Sequence, residues 1–231
     1  MPADDHGLLA RLDALTDLVA RRRGLALQPD GRLAPAELHA VAGACALRPA
    51  TRPRGAAAGT SGLDAAELLR TIAEAVGLLR TRGLRLEVTA LRPAWATLDP
   101  GLRAGLVFAA WCHRVDWRGV LGCEPGVARL VERRVWVLRL LFGLPAGVDV
   151  EVPALCATVA DGLAVDPDRR LTRAVAAAFL DPLVALGVAC LDPVPPAPPA
   201  RLRLGPRASV VIAAALIAAG EEVPLSPGSA D

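Results

Sequence analysis

The strongest constraint on the fold of this chain is a short pattern that occurs twice. The first copy is AVGLLR at residues 75–80, followed by LRLEVT at residues 84–89 and then by Arg92. The second copy is ALGVAC at residues 185–190, followed after a proline-rich loop by RLRL at residues 201–204 and then by Arg207. In each copy a glycine ends a helical run and precedes two short alternating stretches. The pattern therefore predicts a helix, a stop, a two-stranded hairpin and a further helix, twice over.

A helix followed by a β-hairpin is the outline of a winged helix, in which the hairpin is called the wing. We therefore predict a mainly α-helical α+β protein with two winged-helix-like units, each with a small β-hairpin wing. The predicted segments are an N-terminal helix–hairpin–helix segment (1–47), a linker (48–62), a first winged-helix-like unit (63–97), a central helical region (98–150), a C-terminal winged-helix-like unit (151–220) and a disordered tail (221–231).

Local signals place elements inside these segments. Leucines at spacings of three and four predict an amphipathic helix over residues 7–22. Asp30-Gly31 between apolar residues predicts a turn, because glycine accepts a positive φ. Residues 147–152 alternate in polarity, which is typical of a short strand or an extended connection. The final helix is predicted over residues 206–220.

The charge of the chain limits what it can bind. All 26 basic residues are arginine, which a GC-rich genome explains through codon usage alone. The formal net charge is only +2, without the strong basic excess that is typical of nucleic-acid-binding domains. Any nucleic-acid role must therefore rest on local arginine clusters.

The cysteines and the apolar runs bear on the cellular compartment in which the protein is found. Five widely spaced cysteines with no Cys-x-x-Cys pair favour free thiols in a reducing environment. The acidic start of the chain does not resemble a signal peptide, and the longest apolar run, residues 208–220, is too short to span a bilayer. We expect a cytoplasmic protein with no membrane partner.

On these motifs the chain resembles uncharacterised actinobacterial proteins with winged-helix-like repeats. In that group an opening helix is followed by a hairpin and a helix, as in residues 25–44 here, and a Leu-Gly-Leu stretch with a later Leu-Thr-x-x-Gly-Arg forms a wing. The matching residues are Val76, Gly77, Leu78, Val88 and Thr89, and again Leu186, Gly187, Val188, Arg203 and Leu204. The chain departs from the pattern at Arg92, where glycine is usual, and at Gly205, where threonine is usual. The resemblance implies a fold and no activity.

Both predicted wings are basic. The first has Arg80, Arg82, Arg85 and Arg92 against Glu87, and the second has Arg201, Arg203 and Arg207 with no acid between them. Guanidinium groups on a hairpin can bind phosphates beside a groove, which gives affinity without reading the base sequence. A solvated hairpin in an arginine-rich protein is the alternative interpretation.

The helices that precede the wings differ in charge. The first carries Asp64, Glu67 and Glu74 against Arg70, and such a face would repel DNA. The second begins with Arg169, Arg170 and Arg173. We therefore predict a non-enzymatic, transcription-regulator-like protein that binds double-stranded DNA through its C-terminal unit, while the first unit serves dimerisation or protein contact. The predicted contacts are Arg169, Arg170, Arg173, Arg201, Arg203 and Arg207, with Arg82 and Arg85 from the first wing.

Two other functions remain open. One is a protein–protein interaction adaptor on the same scaffold, with a protein partner or a second copy of the chain. The other is a small-molecule-binding protein around Trp111 and Trp117, with Trp136 as a third aromatic residue.

Catalytic and metal chemistry find little support in the sequence. Cys112, His113 and Cys123 offer zinc-binding atoms, but no fourth ligand is placed and their spacing fits no common structural zinc pattern. Adjacent helical residues face each other poorly, so Cys112 and His113 are a poor nucleophile and base. We therefore predict no catalytic residue, no metal and no cofactor, and interpret 111–117 as a corner of the core. The cluster Arg129, Arg133, Arg134 and Arg139 is interpreted as a solvated helix face.

Overall fold

A computed structural model describes residues 7–47, 62–121, 125–192 and 200–223 of the chain. The chain divides into two compact units, Met1–Arg103 and Ala104–Asp231. The described residues are mainly helical, and each unit contains a three-stranded antiparallel sheet. This confirms the prediction of a mainly helical α+β protein. The predicted linker before Gly62, the proline-rich loop of the second wing and the tail beyond Val223 lie outside the described residues.

The first unit alternates helices with short strands. Its elements are α1 (Leu8–Arg21), β1 (Leu25–Ala26), α2 (Pro35–Ala44), α3 (Gly62–Val76), β2 (Leu79–Arg82), β3 (Arg85–Val88) and α4 (Leu91–Thr97), and α5 (Pro100–His113) begins here. The strand order is β1-β3-β2, with Leu25 opposite Leu86. Thus the first strand, which lies in the predicted segment 1–47, pairs with the last strand of the hairpin.

Local sequence explains where α1 and the hairpin turn. Helix α1 buries Leu12, Leu15 and Val19 on one face, as the leucine spacing predicts. The hairpin turns through Gly83 and Leu84, and Gly83 has φ +58° at the first of the two loop positions. Positive φ at that position is the type II′ turn, which suits the twist of a hairpin. Thr81 and Arg82 belong to β2, so the turn itself consists of Gly83 and Leu84.

A partly buried polar contact that the sequence does not indicate joins α4 to α1. Asp13 accepts a hydrogen bond from the indole Nε1 of Trp95 at 2.9 Å and pairs with Arg103 at 2.5 Å. The Arg103 guanidinium also lies 4.6 Å from the centroid of the Trp95 ring. Charge-assisted hydrogen bonds and cation–π contact act together here, with the indole buried beneath them.

The second unit repeats the order of elements. Its elements are α6 (Trp117–Leu121), α7 (Pro125–Phe142), β4 (Asp149–Glu151), α8 (Val152–Leu163), α9 (Arg169–Val175), a π-helical turn (Ala176–Leu180), α10 (Asp181–Ala185), β5 (Ala189–Asp192), β6 (Arg201–Leu204) and α11 (Ala208–Ala218). The strand order is β4-β6-β5, so again the first strand pairs with the last. Of the two alternatives for residues 147–152, a short strand or an extended connection, the structure has the strand, β4. Within the described ranges, the helices all fall short of the length and apolar content needed to cross a membrane.

Helices α7 and α8 approach each other through a glycine. An ideal β-carbon built at Gly162 of α8 would lie 2.1 Å from the nearest ring carbon of Trp136 of α7. Real atoms never pack so closely, so the indole occupies the place that a side chain would need. Gly162 is therefore a packing requirement near the C-terminal end of α8.

We expect Gly162→Ala to lower the free energy of unfolding by about 1–3 kcal/mol, because the new methyl group overpacks the α7–α8 contact. Urea unfolding followed by circular dichroism measures this. The matched control is Gly43→Ala in α2, where an added β-carbon meets no atom within 4 Å. There the gain in helix propensity should stabilise by up to about 1 kcal/mol. Equal effects of the two substitutions would contradict the packing explanation.

Candidate nucleic-acid interface

The outward face of the second sheet is less basic than the hairpin sequence suggests. Strand β6 places Arg201 between Glu151 of β4 and Asp192 of β5. It places Arg203 between Asp149 and Cys190. Three carboxylates therefore stand beside two guanidinium groups. No acid lies between Arg201 and Arg207 in the sequence, but strand pairing brings acids of β4 and β5 beside these arginines.

Arg203 is fully engaged by its neighbour. Its Nε and Nη2 atoms donate to the two carboxylate oxygens of Asp149 at 2.7 and 2.9 Å. The hydrogen bond from Arg203 lowers the pKa of Asp149 below its ordinary value, so the carboxylate stays charged and paired at neutral pH. Of the predicted wing contacts, Arg203 is thus the least able to reach a phosphate, whereas Arg207 is exposed just before α11.

Helix α9 presents two of the three predicted arginines to solvent on one face. Arg169 and Arg173 are exposed and four residues apart, while Leu171 and Ala174 are buried on the opposite side. Within the described chain no carboxylate lies within ion-pair distance of Arg169 or Arg173. The Asp168 side chain accepts from the Leu171 backbone N–H at 2.7 Å and so caps the helix.

Arg170 occupies a different position from its neighbours on α9. It lines a cavity of about 290 Å³ together with Asp166, Asp168 and the first turn of α7. The structure therefore separates Arg170, which borders a cleft containing carboxylates, from the outward pair Arg169 and Arg173.

The first hairpin keeps its arginines close together. Arg82 lies directly opposite Arg85, and Arg85 has Ala26 on its other side. The Nη2 atom of Arg85 donates to the backbone oxygen of Arg23 at 3.0 Å. Arg80, one row further from the turn, lies 3.6 Å from Glu87.

The acidic residues of α3 do not form a repelling surface. Glu67 accepts from the Leu33 backbone N–H at 2.6 Å and from Arg70 at 2.7 Å. Glu74 accepts from the Thr81 hydroxyl at 2.6 Å and also pairs with Arg70. Both carboxylates are half-buried. The expectation that α3 turns an acidic face to solvent is therefore wrong for Glu67 and Glu74. The Asp64 side chain lies outside the described residues.

The tryptophan-rich stretch, residues 111–117, forms a corner of the core of the second unit. The Trp111 indole donates to the Ala178 carbonyl in the π-helical turn at 2.6 Å, and the Trp117 indole donates to the Trp111 carbonyl at 2.8 Å. The Trp117 and Phe179 rings meet edge to face at 5.1 Å. Both indoles are buried, and Trp136 packs on Gly162 instead. The three aromatic residues are thus used in packing, as the interpretation of a core corner expects.

Cys112 and His113 have separate surroundings within this corner. Cys112 is fully buried, and burial raises the pKa of its thiol far above the ordinary value. His113 is half-buried, and its Nε2 donates to the Ala215 carbonyl at 2.7 Å. Across the described ranges no three His, Cys, Asp or Glu side chains come together as a metal site, and Cys123 is outside those ranges.

The arginines of α7 behave as a solvated face. Arg129 pairs with Glu132 at 3.1 Å, and Arg139 pairs with Glu221 just after α11. Arg133 is exposed and Arg134 is half-buried. Exposed ion pairs of this kind stabilise little, by under about 1 kcal/mol.

Comparisons of this chain with protein-family models, with curated proteins and with solved structures return no match. The resemblance to actinobacterial winged-helix-like proteins therefore stays a prediction.

We expect the free energy of unfolding to decrease as the pH falls below about 6.5, in part because of His113. Burial lowers the pKa of His113 below its ordinary value of 6.5, the hydrogen bond to Ala215 opposes this, and the Arg134 guanidinium lowers it further. The unfolded chain therefore binds a proton at a higher pH than the folded chain, and stability is lost until the folded-state pKa is also passed. Urea titrations between about pH 7.5 and pH 5.5 measure the slope.

His113→Gln is the matched variant, since its amide can still donate to the Ala215 carbonyl but does not titrate. Its slope over the same interval should be smaller than that of the wild type. An identical slope would show that groups other than His113 account for the pH dependence.

Proposed function

We propose that both units are winged-helix units and that the protein is a non-enzymatic, regulator-like protein that binds double-stranded DNA through its C-terminal unit. In each unit the order of helices and strands, and the pairing of the first strand with the last, support the winged-helix assignment. The observation that carries the function is the outward arginine pair, Arg169 and Arg173. It lies on α9, at the start of the helical segment that precedes the second hairpin.

The arrangement of α9 suits contact with a duplex. Its buried side is held by Leu171, Ala174 and Val175, so the helix presents a fixed outer face. Helices in this position of helix-turn-helix proteins enter the major groove or lie along its edge. Each guanidinium can take a phosphate by two parallel hydrogen bonds, which lysine cannot imitate. Beyond the arginines come Ala176 and Ala177, whose small side chains permit close approach.

Arg201 and Arg207 complete the proposed contact set in the second unit. Arg207 is exposed, and Arg201 faces outward on β6 between two carboxylates. Because the sheet face has more acid than base, we assign the larger share of phosphate binding to α9. Arg203, held by Asp149, is assigned no direct contact.

Arg169→Gln/Arg173→Gln should weaken binding of a generic duplex by tenfold or more. The slope of log K against log salt concentration should fall in magnitude by about 2, one counterion release for each lost phosphate contact. Fluorescence anisotropy with a labelled duplex at low salt, repeated over a salt series, measures both quantities.

The charge-matched control is Arg129→Gln/Arg133→Gln on α7, which removes two exposed arginines from a different helix of the same unit. It should change the affinity by less than about threefold. No binding by the wild type at micromolar protein, or equal losses in both double variants, would overturn the proposal.

A specific observation favours an adaptor as the second candidate function. Val210 and Ile217 lie two helical turns apart on α11 and are 53% and 54% exposed. A β-carbon at Gly105 would lie 2.9 Å from that of Ala214, so α5 and α11 pack closely beside these side chains. Exposed apolar side chains on one helix face are typical of a protein-docking surface.

If the adaptor function applies through self-association, Val210→Ser/Ile217→Ser should lower the average mass of the protein in sedimentation equilibrium without changing its melting temperature. The α9 double variant serves as the control and should leave the mass unchanged. A wild-type protein that sediments as a monomer at all concentrations would remove self-association from consideration.

A further inference from the structure

We propose that the tip of the first hairpin is a second phosphate-binding site for duplex DNA, formed by Arg82 and Arg85 with the Arg23–Gly24 backbone as their support. Arg82 and Arg85 are among the DNA contacts predicted from the sequence, in a unit otherwise assigned to dimerisation or protein contact. This second site rests on the proposed function only in that duplex DNA is the ligand. Its residues, and the variants that test it, are separate from those of α9.

The first observation is a pair of like charges that has no carboxylate within ion-pair distance in the part of the chain that the structure describes. Arg82 and Arg85 stand directly opposite each other as the last strand pair before the turn. Like charges in that arrangement destabilise a hairpin, whereas an anion bound between them relieves the repulsion. Glu87, the acid on the same strand, already faces Arg80, and Asp30 in the turn after β1 accepts from the Arg32 backbone N–H at 3.0 Å.

The second observation is that Arg85 is positioned before any ligand arrives. Its Nη2 atom donates to the Arg23 carbonyl, and a β-carbon at Gly24 would lie 3.1 Å from its Nε atom. The guanidinium thus packs over a glycine that leaves it room. Arg23 itself has φ +56°, in the left-handed region that is unfavourable for a residue with a β-carbon. The remaining N–H donors of Arg85 are left for a phosphate.

The third observation is the contrast with the equivalent row of the second sheet. There Arg201 lies between Glu151 and Asp192, whereas in the first sheet Arg85 lies between Ala26 and Arg82. The same strand order therefore accepts a net acidic row in one unit and a row with two arginines and no acid in the other. The basic row is not a requirement of the fold.

The fourth observation is where the exposed arginines of the first unit lie. Within its described residues they all sit on the sheet or on the segments that enter it, and they are Arg21, Arg22, Arg23, Arg32, Arg80, Arg82 and Arg85. Leu84, at the turn, is 57% exposed and offers an apolar contact for deoxyribose between phosphates. A single phosphodiester bridging Arg82 and Arg85 is the contact that this geometry favours.

The test makes the Ala26–Arg85–Arg82 row of the first sheet more like the Glu151–Arg201–Asp192 row of the second sheet. Ala26→Glu places a carboxylate beside Arg85, and Arg82→Gln removes one guanidinium. We expect each variant to weaken duplex binding at least fivefold and to reduce the magnitude of the salt slope by about 1. The melting temperature of Ala26→Glu should be unchanged or higher, because a carboxylate opposite an arginine favours the sheet.

The matched control is Ala10→Glu, which adds the same charge to an exposed alanine near the start of α1, the opposite end of that helix from Arg21. It should leave affinity within twofold of the wild type. Equal weakening by Ala10→Glu and Ala26→Glu would overturn the inference, because only net charge would then matter. Wild-type affinity in Ala26→Glu and Arg82→Gln would also overturn it.

The outcomes separate this inference from the proposed function. Loss of binding in the α9 double variant with no loss in Ala26→Glu overturns the second site alone. Loss in Ala26→Glu with none in the α9 variant supports the second site and overturns the C-terminal assignment. A third outcome concerns free phosphate. If millimolar inorganic phosphate raises the melting temperature of the wild type but not of Arg82→Gln, and no duplex binding is seen, the ligand is free phosphate. That result would overturn the assignment of duplex DNA as the ligand.

Discussion

The pairing of the first strand with the last strand closes each unit, and the other contacts depend on it. In the first unit Leu25 lies opposite Leu86, and the Leu27 backbone N–H donates to the Leu84 carbonyl at 2.9 Å. In the second unit Val150 lies opposite Leu202. These pairs join the chain after the opening helix to the hairpin at the end, so three helices are held around one small core. Without them each hairpin would be a two-stranded ribbon, which is marginal in water.

The same pairing decides the electrostatics of both hairpins. A strand alternates its side chains between the core and the solvent, so a third strand adds its own outward residues to the face of the wing. In the second unit β4 adds Asp149 and Glu151, which neutralise the arginines of β6. In the first unit β1 adds only Ala26 beside Arg85. Two hairpins of similar sequence therefore differ in what they can bind, in part because of a strand far from them in the chain and in part because Asp192 of β5 stands where β2 has Arg82.

The sequence predicts the parts of the fold that local physics decides. Gly77 and Gly187 end their helices with φ +90° and +71°, and Gly31 has φ +82° in the turn that Asp30-Gly31 indicates. Apolar spacing likewise places α1 and its buried face. Of the proposed site, the exposure of Arg169 and Arg173 follows from the same helical periodicity, because Leu171 and Ala174 occupy the inner face.

The remainder depends on contacts between distant residues, for which spacing carries no signal. Asp13 of α1 contacts Trp95 and Arg103, which lie in later helices, and the spacing of residues in the sequence does not predict contacts between separate helices. Glu67 accepts a hydrogen bond from the Leu33 backbone N–H, so the number of acidic residues in the α3 sequence overstates the negative charge that the helix presents to solvent. Arg203 of β6 pairs with Asp149 of β4, which lies two strands earlier in the chain.

The outer strands of the first sheet have a further consequence for solubility. A sheet edge exposes unpaired backbone groups that can recruit a strand from another molecule. Here one edge, β1, has only two residues, and the other, β2, carries Arg80 and Arg82 along its length. Two copies brought edge to edge would place four guanidinium groups in apposition. Arg82, which we propose binds phosphate, thus acts with Arg80 to disfavour cross-β aggregation at this edge, where uncharged residues would promote it.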